Sequence, residues 1–417
     1  MQKESLTVPL PAPPLRTKVP LSKALRHARY RHLWIANLIS NLGTWTQTFA
    51  SAWLIASLSH SASTTTLVQT ATYIPIFLFA LFAGVVADAV DRPKFLFMCN
   101  LFMAVCACAM ALLVVSGHAT AGPVLFLTFC LGSGSAFMWP AWQASMSGLV
   151  EPDEVEAAAT LNNLSYNVAA IVGPALGGLL FNWIGAGALF LVNALSFIGL
   201  LSAYWSWWQE RVPEPVARVP FLRSLKDGLR TACGCGRYRR ILVNVCTVFF
   251  ATIAFASLLP VFVRDVLRLD SSVFGILMGS LGAGAVLAAS VLPTLRTRVD
   301  KTRLLAGALA VYGAMLVLMP FARSLLVLVP LIMCGGMAWS AIVSTMNAAA
   351  QLSFPASIRA RTLSIYLFVM AGGYTLGSVV WGRVADHFGV QAAFATAGAC
   401  VLVNAVALAT GKRETCI

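Results

Sequence analysis

The stretch Gly84-Val-Val-Ala-Asp88-Ala-Val-Asp91-Arg92-Pro-Lys94 places formal charges between two long blocks that have none. The blocks on either side, 32–87 and 95–150, contain no Asp, Glu, Lys or Arg, and a third such block covers 157–209. A bilayer core needs roughly 20 apolar residues of helix, so each block is long enough for two spans. Each block also has a polar or Gly/Pro-containing break near its middle. Together they predict six membrane-spanning helices.

The rest of the chain predicts six more spans. Each of its charge-free blocks is long enough for one helix: 241–263, 271–295, 304–322, 324–358, 362–382 and 387–411. The composition agrees, because 59% of the 417 residues are hydrophobic and 11% are charged, against about 25% charged in soluble domains. Mean hydropathy is +0.81. These values exclude a cytosolic enzyme, a secreted domain and a disordered regulator, and predict an all-α membrane protein.

The basic residues predict the orientation of the twelve spans. All but four of the 29 Lys and Arg residues fall on one face of this topology, the exceptions being Arg264, Arg268, Arg323 and Arg383. Cytoplasmic loops of membrane proteins carry such an excess, so we expect a multi-pass plasma-membrane protein with both termini in the cytoplasm. The net charge of +14 then reflects topology, and no nucleic-acid partner is expected. The predicted segments are a basic tail (1–32), an N-terminal bundle (33–208), a linker with an amphipathic helix (209–240), a C-terminal bundle (241–410) and a tail (411–417).

The sequence repeats itself with a period of half its length. Arg29-Tyr30-Arg31 returns as Arg237-Tyr238-Arg239 at an offset of 208, and Pro152 returns as Pro355 at an offset of 203. We interpret this as two six-helix halves related by a pseudo-two-fold axis along the membrane normal. Paired halves with a site between them are typical of alternating-access transporters.

The opening stretch also resembles a known signature. Gly84, Ala87, Asp88 and Arg92 match the loop 2–3 motif of the major facilitator superfamily, whereas Ala89, Asp91 and Pro93 depart from it. In span 5, Gly173-Pro174-Ala-Leu-Gly177-Gly178 is similar to the signature of the superfamily's antiporters. The alternative for this second motif is close helix packing of small residues.

Four further stretches resemble the bacterial transmembrane secretion effector branch, which is similar to enterobactin exporters and macrolide efflux proteins. They are Glu151-Pro-Asp-Glu, Asn162-Asn-Leu-Ser-Tyr-Asn167, Leu225-Lys-Asp-Gly-Leu-Arg230 and Ile358-Arg-Ala-Arg-Thr-Leu-Ser-Ile-Tyr366. The resemblance covers about 24–410. It implies the major facilitator fold, a bacterial inner-membrane location and small-molecule export.

The predicted spans carry no charge at mid-depth. All 15 acidic residues lie in loops or at helix ends, and the five histidines lie at 27, 32, 60, 118 and 387. A phosphate or dicarboxylate carrier would need central Arg or Lys residues, so these substrates are disfavoured. Span 4 also lacks the basic residue that many proton antiporters of the superfamily carry. Asp88 is then the best remaining candidate for proton coupling, which the resemblance leads us to expect.

The resemblance implies that spans 1, 4, 7 and 10 line the substrate cavity. On these spans the polar and aromatic candidates are Asn41, Trp45, Thr48, Trp139, Gln143, Asn244, Phe249, Phe250, Trp339 and Asn347. Aromatic rings with a few amides suit a lipophilic, neutral or weakly cationic drug-like or siderophore-like compound. The alternative for each residue is interhelical packing.

Charged residues at the cytoplasmic ends predict a gate. In the superfamily fold, loop 2–3 lies against the start of span 11, and loop 8–9 lies against the start of span 5. At the first seam, between loop 2–3 and span 11, we expect Asp88 or Asp91 to contact Arg359 or Arg361, with Gly84 and Arg92 completing the seam. At the second seam, between loop 8–9 and span 5, we expect Glu154 or Glu156 to contact Arg296, Arg298 or Lys301.

Two other functions are alternatives to export. An importer of a neutral metabolite would share the fold and the cavity. An intramembrane enzyme is disfavoured because the sequence has no His-Glu-x-x-His, no Gly-x-Ser-x-Gly and no acid pair at mid-depth. We expect a monomer without cofactor or metal, whose partners are a small-molecule substrate, the lipid bilayer and coupling protons.

Overall fold

The computed structural model describes residues 20–59, 61–210, 234–354 and 356–410, without the side chains of 85, 87–89, 147 and 356–361. Both chain ends and most of the linker (211–233), where the amphipathic helix was predicted, lie outside the described residues. After a single turn, Leu21–Ala24, the described chain forms twelve long helices. They are α1 (Ala28–Leu58), α2 (Ala62–Ala89), α3 (Arg92–Val115), α4 (Ala121–Ser145), α5 (155–184), α6 (186–210), α7 (Gly236–Val261), α8 (Ser271–Arg298), α9 (Lys301–Leu318), α10 (Leu325–Leu352), α11 (Ala356–Phe388) and α12 (Val390–Thr410).

The helix count agrees with the prediction from the charge-free blocks. Ten described helical stretches are long and apolar enough to cross a membrane, and one of them is the 56-residue run Val155–Glu210. This run is two helices, because Gly185 has φ +74° and reverses the chain. Helix α1, which is richer in amides and hydroxyls, completes the twelve. The all-α fold predicted from the sequence is confirmed.

Glycine joins the last two helices of each half without a loop. Gly185 lies between α5 and α6, and Gly389, with φ +89°, lies between α11 and α12. A positive φ at these junctions favours glycine, which has no Cβ to clash with the backbone. The two glycines lie 204 residues apart, so the junction is part of the repeat.

The two halves, α1–α6 and α7–α12, use the same internal hydrogen bond. The Tyr30 hydroxyl of α1 donates to the Ala158 carbonyl of α5 at 2.8 Å, and the Tyr238 hydroxyl of α7 donates to the Thr362 carbonyl of α11 at 2.6 Å. Tyr238 lies 208 residues after Tyr30, and Thr362 lies 204 residues after Ala158. The bond therefore aligns the two halves, with an offset of 208 residues between α1 and α7 and of 204 residues between α5 and α11. Equivalent positions of these helices can be compared directly.

The two ends of the molecule pack differently. We call the end where α3 and α9 begin the basic end, and the end where α2 and α8 begin the far end. One apolar core joins both halves and includes the stacked rings of Phe49 in α1 and Phe274 in α8, 4.6 Å apart. A second core, which includes Tyr30, Leu96 and Tyr204, belongs to the N-terminal half alone and lies at the basic end.

Candidate functional site

At the far end, α11 of one half caps α2 of the other. The Asp386 carboxylate accepts hydrogen bonds from the backbone N–H groups of Ala62 (2.6 Å) and Ser63 (3.2 Å) and from the Ser61 hydroxyl (2.9 Å). A carboxylate at a helix N-terminus satisfies free N–H groups and interacts favourably with the helix dipole. Arg264, in the π-helical turn Phe262–Val266 that follows α7, also donates to the carbonyl of Ser59 at 3.0 Å. Two groups of the C-terminal half therefore hold the α1–α2 turn.

The second far-end seam joins α5 to α8 with related chemistry. The Asn182 amide donates to the Asp270 carboxylate at 3.3 Å and to the Ser272 hydroxyl at 3.1 Å. Asn182 lies 204 residues before Asp386, so the two residues are repeat counterparts. Below them, a Cβ on Gly178 would lie 2.8 Å from the Cα atom of Gly275. The backbones of the two halves are in direct contact at this point.

The same seam is separated at the basic end. On α8, nearly every described side chain from 286 to 298 is exposed. On α5, one helical stripe is exposed and polar, and it consists of Glu156, Thr160, Asn163 and Asn167. Among the described residues, no ion pair joins the acids that begin α5 to the bases of α8 and α9. The α5–α8 seam is therefore closed at the far end and open at the basic end.

The predicted gate residues have other partners in this open conformation. Glu154 contacts Lys23 at 3.2 Å and His27 at 2.6 Å, rather than the bases of α8 and α9. This is because the segment before α1 folds over the start of α5. Arg296 donates instead to the Ser344 hydroxyl at 2.7 Å. Glu156, Arg298 and Lys301 are exposed.

The other predicted seam is described only in part, because the side chains of Asp88, Arg359 and Arg361 lie outside the description. The Arg92 guanidinium donates to the Ala144 carbonyl at the end of α4, at 3.1 Å. Asp91 caps α3 by accepting from the backbone N–H of Lys94 at 3.3 Å. A Cβ on Gly84 would meet no described atom within 4 Å. No described residue therefore packs closely against Gly84.

Ion pairs shift the pKa values of the groups that hold the N-terminal segment. The hydrogen bond from Lys23 lowers the pKa of Asp153, and the one to Asp153 raises the pKa of Lys23. Burial pushes the pKa of Glu154 upward, but hydrogen bonds from Lys23 and His27 outweigh burial and leave it below its ordinary value. A carboxyl pKa that is lowered by folding stabilises the docked segment above the ordinary value and loses that effect as the pH falls.

We therefore expect the segment before α1 to stay docked at neutral pH and to detach as the pH falls below about 4, near the ordinary carboxyl pKa. A nitroxide attached at the exposed position Leu21 should report low mobility at pH 7 and increasing mobility as the pH falls below about 4. Glu154→Gln should raise the mobility already at pH 7, whereas Glu151→Gln, whose carboxylate is exposed and 3.9 Å from Lys23, should change it little. Equal mobility of the Glu154→Gln and parent proteins at pH 7 would contradict the role of Glu154.

The Gly-Pro motif of α5 lies against two neighbours. A Cβ on Gly173 would meet the side chain of Trp45, and one on Gly177 would meet the ring of Phe49, both on α1. Gly178 faces α8, and the Pro174 carbonyl lies against Gly275. Because it lacks side chains at these positions, α5 approaches α1 within its own half and α8 across the seam.

The N-terminal half brings several predicted cavity residues together around Tyr166. The ring of Tyr166 meets those of Trp45 and Trp139 edge to face, at 5.7 and 5.5 Å. A narrow niche between α1, α4 and α5 opens beside them. Its polar and aromatic lining is Asn37, Asn41, Trp139, Trp142, Asn162 and Tyr166. The remaining candidates of this half, Thr48 and Gln143, do not line the niche. The Thr48 hydroxyl donates back to the Thr44 carbonyl, and Gln143 is exposed.

The C-terminal candidates form a separate cluster. Phe249 is 1% exposed and lies between the rings of Trp339 and Tyr374, at 5.6 and 5.0 Å. Phe250 contacts the Trp381 ring of α11 at 5.4 Å. In this conformation Phe249 therefore belongs to the core rather than to an open cavity surface. Asn347 accepts from the Gln351 amide at 2.7 Å, and Asn244 is half-buried on α7.

Sequence reasoning missed the residues that link the halves. Tyr73 of α2 and Tyr374 of α11 meet across the seam with ring centroids 4.4 Å apart. These helices are not among the expected lining spans, although tyrosine inside a charge-free block was a usable signal. The sequence signal for Asp386 was clearer, because Gly382-Arg-Val-Ala-Asp386 repeats the spacing of Gly84-Val-Val-Ala-Asp88.

Sequence comparisons show that this chain is similar to membrane transporters. The model of the transmembrane secretion effector family matches residues 20–414. The staphyloferrin A transporter of Staphylococcus aureus is 22% identical over 88% of this chain and 92% of its own length. The multidrug efflux pump Tap of Mycolicibacterium fortuitum is 23% identical over 86% of this chain and 90% of its own length.

Solved structures share the fold. A bacterial homologue of the human lysosomal transporter Spinster, in an inward-facing and unoccupied conformation, has a TM-score of 0.66 at 16% identity and covers 94% of this chain and 96% of its own. The POT family transporter PepTSo has a TM-score of 0.75 at 11% identity and covers 92% of this chain and 97% of its own. At these identities the likeness concerns the fold alone.

Proposed function

Because this chain belongs to the transmembrane secretion effector family of the major facilitator superfamily, we propose that it exports a small lipophilic compound, neutral or weakly cationic, by alternating access. It acts as a secondary transporter and performs no chemical conversion. Two of its relatives, a siderophore transporter and a multidrug efflux pump, are named for the transport of small molecules.

The observation that carries the choice of cargo is a pair of aromatic clusters, one in each half, which together we call the aromatic centre. Trp45, Trp139 and Tyr166 lie in one half, and Phe249, Trp339 and Tyr374 in the other. The charge-free blocks that form these helices contribute no formal charge to the centre. Aromatic faces attract apolar groups and weakly solvated cations, whereas a carboxylate or phosphate would find no cation there.

The direction of the opening follows from the charge distribution. We place the basic end in the cytoplasm, with both termini, since Lys and Arg gather in cytoplasmic segments. The gap between the basic ends of α5 and α8 then faces the cytoplasm of a bacterial inner membrane, and the protein is in its inward-open state. An exporter receives its cargo from this side.

The charged residues at the cytoplasmic ends of the helices form the gate that closes the cytoplasmic side. When α5 and α8 approach, Glu154 and Glu156 meet Arg296, Arg298 and Lys301. Asp88 and Asp91 pair with Arg359 and Arg361 at the other seam, and protonation of Asp88 couples the cycle to the proton gradient. Exposed pairs contribute only about 0–1 kcal/mol each, so several must act together to shift the equilibrium between states. The transporter functions as a monomer.

Export can be tested with dyes in bacterial cells that lack other efflux pumps. Cells expressing the protein should accumulate several-fold less of a lipophilic cationic dye such as rhodamine 6G than cells with an empty vector. A protonophore should remove the difference, and the anionic dye fluorescein should show none. Greater accumulation on expression would instead support the importer of a neutral metabolite.

A further inference from the structure

The niche in the N-terminal half contains a buried amide whose orientation is fixed. The Oδ1 atom of Asn162 accepts from the Asn37 amide at 3.0 Å and from the Trp142 indole at 2.9 Å. These bonds leave the Nδ2 group of Asn162 as the atom available for a further contact. Asn162 is only 2% exposed, and its Nδ2 group has no hydrogen-bond partner among the described residues. The Nδ2 atom is not among the fully buried side-chain atoms that lack a partner, so it is accessible from the niche and can donate to a ligand there.

Two more unpartnered polar groups face the same niche. The Asn41 amide and the Tyr166 hydroxyl make no hydrogen bond to any described residue, although both line the niche beside Asn162. The Tyr166 ring is held between the edges of Trp45 and Trp139. The niche therefore presents a fixed donor, an amide and a hydroxyl next to an aromatic surface.

The C-terminal half shows that the fold does not need these groups. With the register set by Tyr30 and Tyr238, the counterpart of Asn37 is Val245, and that of Asn41 is Phe249. Likewise, Asn162 corresponds to Tyr366, and Tyr166 to Met370. Phe249 and Tyr366 are each 1% exposed and fill the space that is open in the other half. The same helix pairing is built there with mostly apolar side chains, so the polar niche serves something other than folding.

We propose that the niche is a subsite for an uncharged carboxamide-like group of the transported compound. The carbonyl oxygen of that group accepts from Asn162 Nδ2, and its two N–H groups donate to the Asn41 side-chain oxygen and to the Tyr166 hydroxyl. The apolar remainder lies along Trp45 and Trp139. A carboxylate is excluded because α1, α4 and α5 carry no Lys or Arg within the charge-free blocks that form the niche. The inference rests on the proposed function, whose cargo it specifies further.

The test is equilibrium binding to the purified full-length protein by saturation-transfer NMR. The probes are 4-tert-butylbenzamide, 4-tert-butylbenzoate and 4-tert-butylacetophenone, which share one apolar body. The amide should bind, the ketone should bind about three- to tenfold more weakly because it cannot donate, and the carboxylate should not bind. Equal binding of amide and ketone, or no binding of the amide, would overturn the inference.

Variants locate the binding. Asn41→Phe copies the residue of the filled half and should abolish amide binding with little change in thermal unfolding. Tyr166→Phe removes only a hydroxyl and should weaken amide binding about three- to tenfold while leaving ketone binding unchanged. Tyr366→Phe, the matched control, removes a hydroxyl from the filled half and should have no effect. Undiminished amide binding by folded Asn41→Phe protein would refute the site.

The outcomes separate this inference from the proposed export. If expressing cells exclude dye but the purified protein binds no amide, the subsite is wrong and export stands. If the amide binds in a way that depends on Asn41 and Tyr166, yet no dye is excluded, the binding site stands and the proposed export fails.

Discussion

Gly178→Ala is expected to reduce transport about tenfold while leaving both halves folded. Its Cβ would lie 2.8 Å from the Cα atom of Gly275 and 2.8 Å from the carbonyl oxygen of Ser271. Both are backbone atoms of the opposite half, which cannot rotate out of the way. The clash arises only when the far end closes, so the variant should populate the far-closed state less than the parent protein does. Overpacking of this kind costs about 1–3 kcal/mol, and 1.4 kcal/mol is a factor of ten in population.

The matched control lies on the same seam. A Cβ on Gly279 would meet the Ala175 side chain at 3.5 Å, which is an ordinary van der Waals distance, so Gly279→Ala should transport normally. Dye efflux measures transport, and thermal unfolding of the purified proteins measures folding. Parent-like efflux by Gly178→Ala would show that far-end closure at this seam is not required for transport.

Asp386→Ala is expected to open the far end. The substitution removes the acceptor of three hydrogen bonds that cross between the halves and exposes the N-terminus of α2. Loss of a helix N-cap costs about 0.5–2 kcal/mol, and here that cost falls on the far-closed state alone. We therefore expect the ratio of far-open to far-closed molecules to rise about tenfold, with a matching loss of efflux.

Spin labels can measure this shift. Labels at Trp183→Cys and Phe321→Cys, two exposed far-end positions in different halves, should report a longer distance in the Asp386→Ala protein, in a background without native cysteines. Ser324→Ala is the control, because Ser324 caps α10 within one half, accepting from the Leu326 N–H at 3.3 Å. It should lower stability without changing the distance. An unchanged distance in Asp386→Ala would rule out Asp386 as a latch.

The sequence predicted the helices and their repeat because both depend on local composition. Charge-free blocks of sufficient length must become spans, and shared spacing around Tyr30 and Tyr238 revealed the two halves. Rotation of each helix about its own axis was not predictable in the same way. Phe249 and Asn41 lie at equivalent positions of α7 and α1, yet one is in the core and the other lines the niche. Only the packing of neighbouring helices separates such cases.

The partners of charged residues were also beyond sequence reasoning, because they depend on the conformation. Glu154 was predicted to meet bases of the other half, and in the arrangement that is open at the basic end it meets Lys23 and His27 instead. One sequence must satisfy both states, and the segment before α1 supplies the partners of Glu154 in this one. Asp386 was missed because the gate was sought only at the basic end.

The glycine junctions at Gly185 and Gly389 affect how the chain is inserted during synthesis. With no loop between α5 and α6, or between α11 and α12, few residues have to be carried through the bilayer at these points. Residues 157–209 contain no formal charge, so no charge lies between α5 and α6 that would halt either helix alone. We expect each pair to leave the translocon as a single helical hairpin. A charged insertion at Gly185 would then impair biogenesis of the N-terminal half before any effect on transport could be observed.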